Sequence, residues 1–267
     1  MSSLDVPGPT VVEQSRSLKP PIDEATPRSA PESLPTSRFR VISSPKTLPT
    51  EPITIQFRTR RIRATAAKVE KEIPNVFLLQ VTPSIAEQRM NVAVGCLPPR
   101  LRRFFDKCFP EWSLPNRLVL KACKPKWDEE FETEKSTYAA LKKLQGTRIP
   151  RYFGALTYQG TKAILLSDIG GAHVGEPAGA VLDKAQFRQL MKDTLSDMAR
   201  HGALPDDIRL ENFHIVGDKV MAVDFEMVNK VTSDNSCIEI QELTEWLADL
   251  YANRQQDLFN SGKIEET

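Results

Sequence analysis

Long apolar runs are missing from this 267-residue chain. Segments such as "VFLL" and "AILL" are far too short to span a bilayer. The amino terminus, "MSSLDVPGPT", has no basic stretch followed by an apolar core, so no secretory signal is expected. Histidine is scarce, with three residues. The four cysteines, Cys96, Cys108, Cys123 and Cys237, form no CxxC pair, so no zinc-ligand spacing exists. They read as reduced thiols of an intracellular protein, cytoplasmic or nuclear. A dominant charge sign is absent too: formal charge is +1, which supplies no global reason to expect nucleic acid or an anionic membrane as partner. A glycine-rich loop is also lacking, because Gly95 stands alone well before Lys121.

What remains is ordinary for a globular chain, with 40% apolar and 27% charged residues. The length suffices for one large domain or two small lobes. Residues 1–50 carry nine of the 20 prolines and nine serines, with little apolar periodicity. Such a segment buries too little surface to offset its chain entropy, and a disordered tail is predicted there. The stretch "IQFRTRRIRATAAKVEK" (55–71) follows, with six basic residues and one acidic. It reads as a basic solvated element, with a nucleic-acid patch as a minor alternative.

Farther on, "NVFLLQV" and "NVAVGCL" predict strands and "LRRFFDKCF" a short helix. "RLVLKAC" (117–123) predicts a buried strand with Lys121 near its end. "WDEEFETEKSTYAALKKLQG" places Phe131, Tyr138, Leu141 and Leu144 at helical offsets and stops at Gly146. Two strands around Gly160 come next, then a glycine-containing linker near residues 166–172. In "DKAQFRQLMKDTLSDMARHG", Phe187, Leu190, Met191, Leu195 and Met198 share a helix face closed by Gly202. "NFHIV" and "KVMAVDF" flank a Gly-Asp turn and predict a hairpin. Ile240, Leu243, Leu247 and Leu250 mark a last helix. This order predicts an α+β fold in two lobes joined by a hinge.

Polar residues at the ends of these segments carry the chemistry. "DIRLEN" supplies Asp207, Arg209 and Asn212; a dozen residues later an apolar strand ends in "VDFE" with Asp224. Upstream lie a strand ending in "VLK", at Lys121, and a helix with Glu134. This order resembles the protein-kinase signature set: strand lysine, helix glutamate, catalytic-loop aspartate and asparagine, then a metal-binding aspartate. Over roughly residues 115–230 it is similar to the kinase-like proteins abundant in fungi. In those a helix-end "HG", a "GDIR..N" loop and a "DFE" ending recur in this order. The resemblance implies a two-lobed protein-kinase-like fold, with a small β-rich N-lobe over 51–168 and a short, mostly helical C-lobe over 169–267. It implies ATP and Mg2+ as cofactors and an unidentified hydroxyl-bearing acceptor; the short apolar runs and the near-neutral charge lead to the separate expectation of no membrane partner. Lys121 would hold the phosphates with Glu134 as its ion-pair partner, and Glu130 is the alternative one turn earlier. Asp207 would orient or deprotonate the acceptor hydroxyl, Arg209 would offset charge on the transferred group, and Asn212 and Asp224 would coordinate magnesium.

The chain departs from that pattern at several points. Pro205 stands where kinases carry a histidine or tyrosine, and Asp206 sets a second carboxylate beside Asp207. Glu226 replaces the third-position glycine of the metal loop, as in the fungal group. No "APE" follows, and the 43 residues after Asp224 leave little room for a peptide-docking subdomain. A pseudokinase, binding nucleotide or acting as a scaffold without efficient transfer, is therefore the alternative. His173 and His214 read as isolated, and His201 as a helix-end residue answering the negative dipole there.

Overall fold

The first described strand, β1 (Phe39–Val41), pairs antiparallel with the last, β13 (Ile264–Glu266). The computed structural model describes residues 39–41, 49–69, 74–231 and 236–266. The tail predicted for residues 1–50 lies mostly outside them. Its boundary is corrected at Phe39–Val41 and Thr50, which are extended. Backbone pairing with a partner more than 200 residues away supplies the order that local composition does not.

The basic stretch is a hairpin. β2 (Thr50–Phe57) turns at Arg58 and Thr59 into β3 (Arg60–Lys68). The period of two sends Ile62, Ala64 and Ala66 inward and Arg61 and Arg63 to solvent. Arg60 is the exception, 4% exposed: its Nε donates to Glu87 Oε1 at 2.8 Å and its Nη1 to the Glu111 carbonyl at 2.9 Å. β4 (Val76–Val81) follows as predicted.

"NVAVGCL" is not a strand. Its residues 91–95 close helix α1 (Ile85–Gly95), which begins with a capping box. Ser84 Oγ accepts from the Glu87 amide, and Glu87 Oε2 accepts from the Ser84 amide at 2.6 Å. Two satisfied end groups outweigh the modest strand preference of Val92 and Val94, whose neighbours supply no sheet edge. Helix α2 (Pro99–Cys108) has proline in its first turn, where a missing N–H costs nothing.

β5 (Arg117–Ala122) carries Lys121, and α3 (Asp128–Ala140) carries Glu134. Asp128, Glu129 and Glu130 favour the positive end of the α3 dipole. The helix stops at Ala140, short of Gly146. The chain tightens into a 3-10 turn at Lys142–Leu144, and both Leu141 and Leu144 enter the core. β6 (Tyr152–Tyr158) and β7 (Thr161–Ser167) meet at Gln159 and Gly160, both with positive φ.

Strands β2-β3-β4-β5-β7-β6, in that order, make one antiparallel sheet. One face holds a cluster with Phe57, Ile62, Phe77, Leu79, Leu118, Leu120 and Leu165. The other sends Ile164 and Leu166 against Phe131, Tyr138 and Leu141 in a second cluster. Ala163 to Leu166 are buried on both faces, which explains their unbroken apolar run.

After Ser167 the chain passes Gly170 and Gly171, both left-handed, into the short strand β8 (Ala172–His173). At Gly171 a Cβ would meet the Ile215 carbonyl oxygen at 2.1 Å, so only glycine fits. Helix α4 (Lys184–Ala199) is capped by Asp183, which accepts from the Gln186 amide at 2.9 Å. β9 (Ala203–Pro205) leads to a 3-10 turn at Leu210–Asn212. β10 (Phe213–Val216) and β11 (Lys219–Ala222) form the predicted hairpin, with β8 on the outer side of β10. β12 (Val228–Lys230) pairs with β9, and α5 (Ser236–Asn260) packs on α4 through stacked Phe187 and Tyr251 rings 4.0 Å apart. Pro205 is tolerated because β9 and β12 form a sheet of two, in which each strand has a free edge.

The fold is thus mixed, with an antiparallel sheet and several helices, as the α+β expectation requires. No helix among the described residues is long and apolar enough to cross a membrane.

Candidate functional site

Two local devices aim one strand-loop at another. The β9–β12 pairing holds residues 206–207 beside 226–227, with the Asp206 amide donating to the Met227 carbonyl at 3.0 Å. Phe225 is fully buried, edge-on to the Tyr138 ring at 5.2 Å, and Tyr138 stacks on Tyr152 at 5.6 Å. With Phe225 anchored, its predecessor turns back: Asp224 has φ 64, the left-handed region that a residue with a Cβ enters at a cost of about 1 kcal/mol. Strain held in place by surrounding packing is characteristic of functional positions.

That turn sets the Asp224 carboxylate on Lys121, 7% exposed, whose Nζ donates to Asp224 Oδ1 at 2.8 Å. Nζ also lies 2.9 Å from Glu134 Oε2 and 3.0 Å from Glu226 Oε1. Glu226 reaches farther with its other oxygen, to Lys124 Nζ at 2.5 Å, and Lys124 covers the Trp127 ring at 4.4 Å. Burial alone would lower the Lys121 pKa. The carboxylates of Glu134, Asp224 and Glu226 outweigh it and hold the ammonium above the ordinary lysine value. For Glu134 burial wins and its pKa is raised despite Lys121. For Asp224 burial is overcome by Lys121 and Lys124, and its pKa is lowered.

A cavity of about 230 Å³ opens beside this cluster, lined by Lys124, Trp127, Asp207, Arg209, Asp224, Glu226 and Met227. Asp207 and Arg209 face it as a pair: Arg209 Nε donates to Asp207 Oδ2 at 3.0 Å, and Nη2 donates to the same oxygen. Asp206 is turned away and accepts from Asn229 Nδ2 at 2.7 Å, so it does not crowd Asp207.

Lys121, Glu134 and Asp224, named from the sequence, are thus in direct contact, and Asp207 and Arg209 share a cavity with Asp224. Asn212 is placed differently. It is 8% exposed, its Nδ2 donates to the Asp207 carbonyl at 2.9 Å, and its own carbonyl accepts from the Val223 amide at 2.9 Å. It braces the two loops against each other and does not line the cavity. Glu130, the alternative partner, is not among the carboxylates that pair with Lys121 in the described residues.

Sequence reasoning missed Lys124, Trp127 and Met227, and saw Glu226 only as a departure. No local periodicity signals Glu226, because Asp224 is left-handed and residues 223–227 lie between β11 and β12 rather than in a strand. The histidines differ from expectation as well. His173 and His214 form an edge-on pair 6.1 Å apart, across the β8–β10 register. His201 behaves as read, its Nδ1 2.8 Å from the Asp197 carbonyl at the end of α4.

Glu134, Asp224 and Glu226 each present an oxygen within 4.8 Å of the others, a donor set suited to a hard divalent cation. Lys121 already occupies the middle of that triad, so its charge is answered there. Asp224 keeps Oδ2 without a protein donor among the described residues, and Asp224 also lines the cavity. The donor chemistry therefore fits magnesium at Asp224 rather than at the triad centre. No protein-family model matches the chain, and no curated protein matches it in sequence.

Proposed function

We propose that this chain is an ATP- and magnesium-dependent phosphotransferase with a two-lobed protein-kinase-like fold, moving the terminal phosphoryl group to a hydroxyl acceptor. One observation carries the reading: a single strand lysine, Lys121, contacts both a helix glutamate, Glu134, and the aspartate that opens "DFE", Asp224. In kinases the lysine–glutamate pair and the metal-loop aspartate must be in place together. The sheet with α3 across it and the hairpin between Asn212 and Asp224 agree with that fold.

The chain's own residues supply positioning and charge. Lys121, held by Glu134, offers an ammonium to phosphate oxygens. Asp224 offers a carboxylate oxygen at the cavity wall. Bound Mg2+ would supply charge neutralisation between the phosphates. Asp207 accepts the proton of an acceptor hydroxyl, and Arg209 keeps that carboxylate oriented until the phosphoryl oxygens draw the guanidinium away. Asn212 keeps the Asp207 loop in register with Asp224.

A pseudokinase is the second reading, favoured by Glu226, which sits between both lysines where phosphate oxygens would bind. The cavity is also smaller than the roughly 300–1,000 Å³ usual for ligand pockets. One experiment separates the two. Thermal stabilisation by Mg·ATP is measured on wild type and Asp224→Ala, and transfer from labelled ATP to generic acceptors on wild type and Asp207→Ala. Stabilisation lost in Asp224→Ala and turnover lost at least about 100-fold in Asp207→Ala are expected. Stabilisation without turnover selects the pseudokinase. Absence of both removes the nucleotide reading.

A further inference from the structure

The insertion between β4 and β5 presents an apolar surface that the fold does not cover. In α2 the residues Leu101, Phe104, Phe105 and Cys108 fall at helical offsets within an arc of about 100°. A buried helix would turn that arc inward. Here Leu101 is 55% exposed and Phe104 65%, and Phe109, just past the helix, is 45% exposed. Only Phe105 is half-buried, its ring 5.3 Å from that of Phe109.

The orientation is held, not incidental. The turn after α2 is fastened to the sheet by Glu111, 2% exposed, whose Oε1 accepts from Thr59 Oγ1 and whose carbonyl accepts from Arg60. The insertion's other end is fastened by the Arg60–Glu87 pair at 2.8 Å.

Charge identifies what the face meets. Arg100 and Arg102 flank the apolar arc on its two edges, Arg103 lies opposite, and all three are exposed. Residues 50–122 hold thirteen basic against six acidic side chains, although the whole chain is only +1. The segment that bears the exposed helix is therefore net positive, although Arg60 and Lys121 within it are buried in ion pairs. Nucleic acid would answer the arginines but leave Leu101 and Phe104 in water. An anionic bilayer surface answers both: phosphate headgroups pair with guanidinium forks, and the apolar arc enters the headgroup–acyl boundary.

We infer that α2 is a peripheral membrane-contact helix that docks the protein on anionic lipid through Leu101 and Phe104, with Arg100, Arg102 and Arg103 on headgroup phosphates. The surface is separate from the Lys121 site and does not depend on its assignment.

The test uses the full chain and sedimentation with vesicles of phosphatidylcholine, with and without phosphatidylserine. The chain is expected to sediment with the anionic vesicles only, and to be released by high salt. Leu101→Glu/Phe104→Glu should weaken partitioning by about 100-fold, and Arg102→Ala/Arg103→Ala by about 30-fold. All four positions are exposed, and an unchanged melting midpoint checks folding. Should the glutamate variant fail to fold, the arginine variant and the wild-type salt titration decide alone. No sedimentation with anionic vesicles, or equal sedimentation with neutral ones, overturns the inference. So does loss of self-association rather than of vesicle binding in Leu101→Glu/Phe104→Glu, which would make the face a contact between copies.

Discussion

Glu226 is the residue whose placement alters the chemistry most. A carboxylate bridging two ammonium groups stands in for a phosphate: it is anionic, has two acceptor oxygens and lies between Lys121 and Lys124. A nucleotide entering this site has to displace it. Glu226→Gln removes the competing charge and keeps the size. Mg·ATP should then bind about tenfold more tightly in a calorimetric titration, the equivalent of about 1.4 kcal/mol. Unchanged or weaker binding would show that phosphate does not compete for those lysines. The raised Glu134 pKa follows from the same crowding, since burial and neighbouring carboxylates outweigh what Lys121 returns.

At the scale of elements, α1 and α2 differ in what holds them. α1 depends on its capping box and on Glu87, which serves both the Ser84 amide and Arg60. Its apolar residues contribute little, because Ile85 is 72% and Val92 68% exposed. Ser84→Ala should cost about 1 kcal/mol. Because few core contacts tie α1 to the sheet, the loss should be local. Amide hydrogen exchange at residues 86–88 should accelerate about fivefold while the global midpoint barely moves. An equal shift in the global midpoint would mean that α1 belongs to the cooperative core. α4 and α5, by contrast, are held by buried faces, and Tyr251 Oη adds a further link by accepting from the Leu182 amide at 3.0 Å.

For the molecule as a whole, pH is the revealing variable. Burial first, and then the nearby His173, lower the His214 pKa to about 4, against partial compensation by Glu176 and Asp168. The unfolded imidazole binds its proton near 6.5, so between pH 6.5 and 4 the unfolded chain takes up more protons. Stability from this group is therefore full above 6.5 and lost as pH falls toward 4, by at most about 3 kcal/mol. Glu134 works in the opposite direction, since its raised pKa favours the folded state at low pH. Asp224, with a lowered pKa, loses its contribution only as pH falls below 3.8. Denaturant unfolding of wild type and His214→Gln at several pH values isolates the histidine. The difference between them should shrink or reverse as pH falls from 6.5 to 4. A constant difference would place the His214 pKa near its unfolded value.

Local pattern was enough for much of this protein. Periodicity in α4, α5 and the β10–β11 hairpin depends on which residues lie three, four or two apart, and neighbours along the chain decide that. The polar residues of "VLK", "DIRLEN" and "VDFE" were equally legible as a spaced set. The Lys121–Glu134 pair was named through the resemblance, but the contact of Asp224 with Lys121 was not, because it requires a left-handed Asp224 held by the burial of Phe225 against Tyr138. Glu226 as a bridge, Asn212 as a brace, the His173–His214 pair and the outward face of α2 share that reason. Each depends on which surfaces the tertiary fold brings together or leaves bare, and sequence spacing carries no information about a neighbour a hundred residues away.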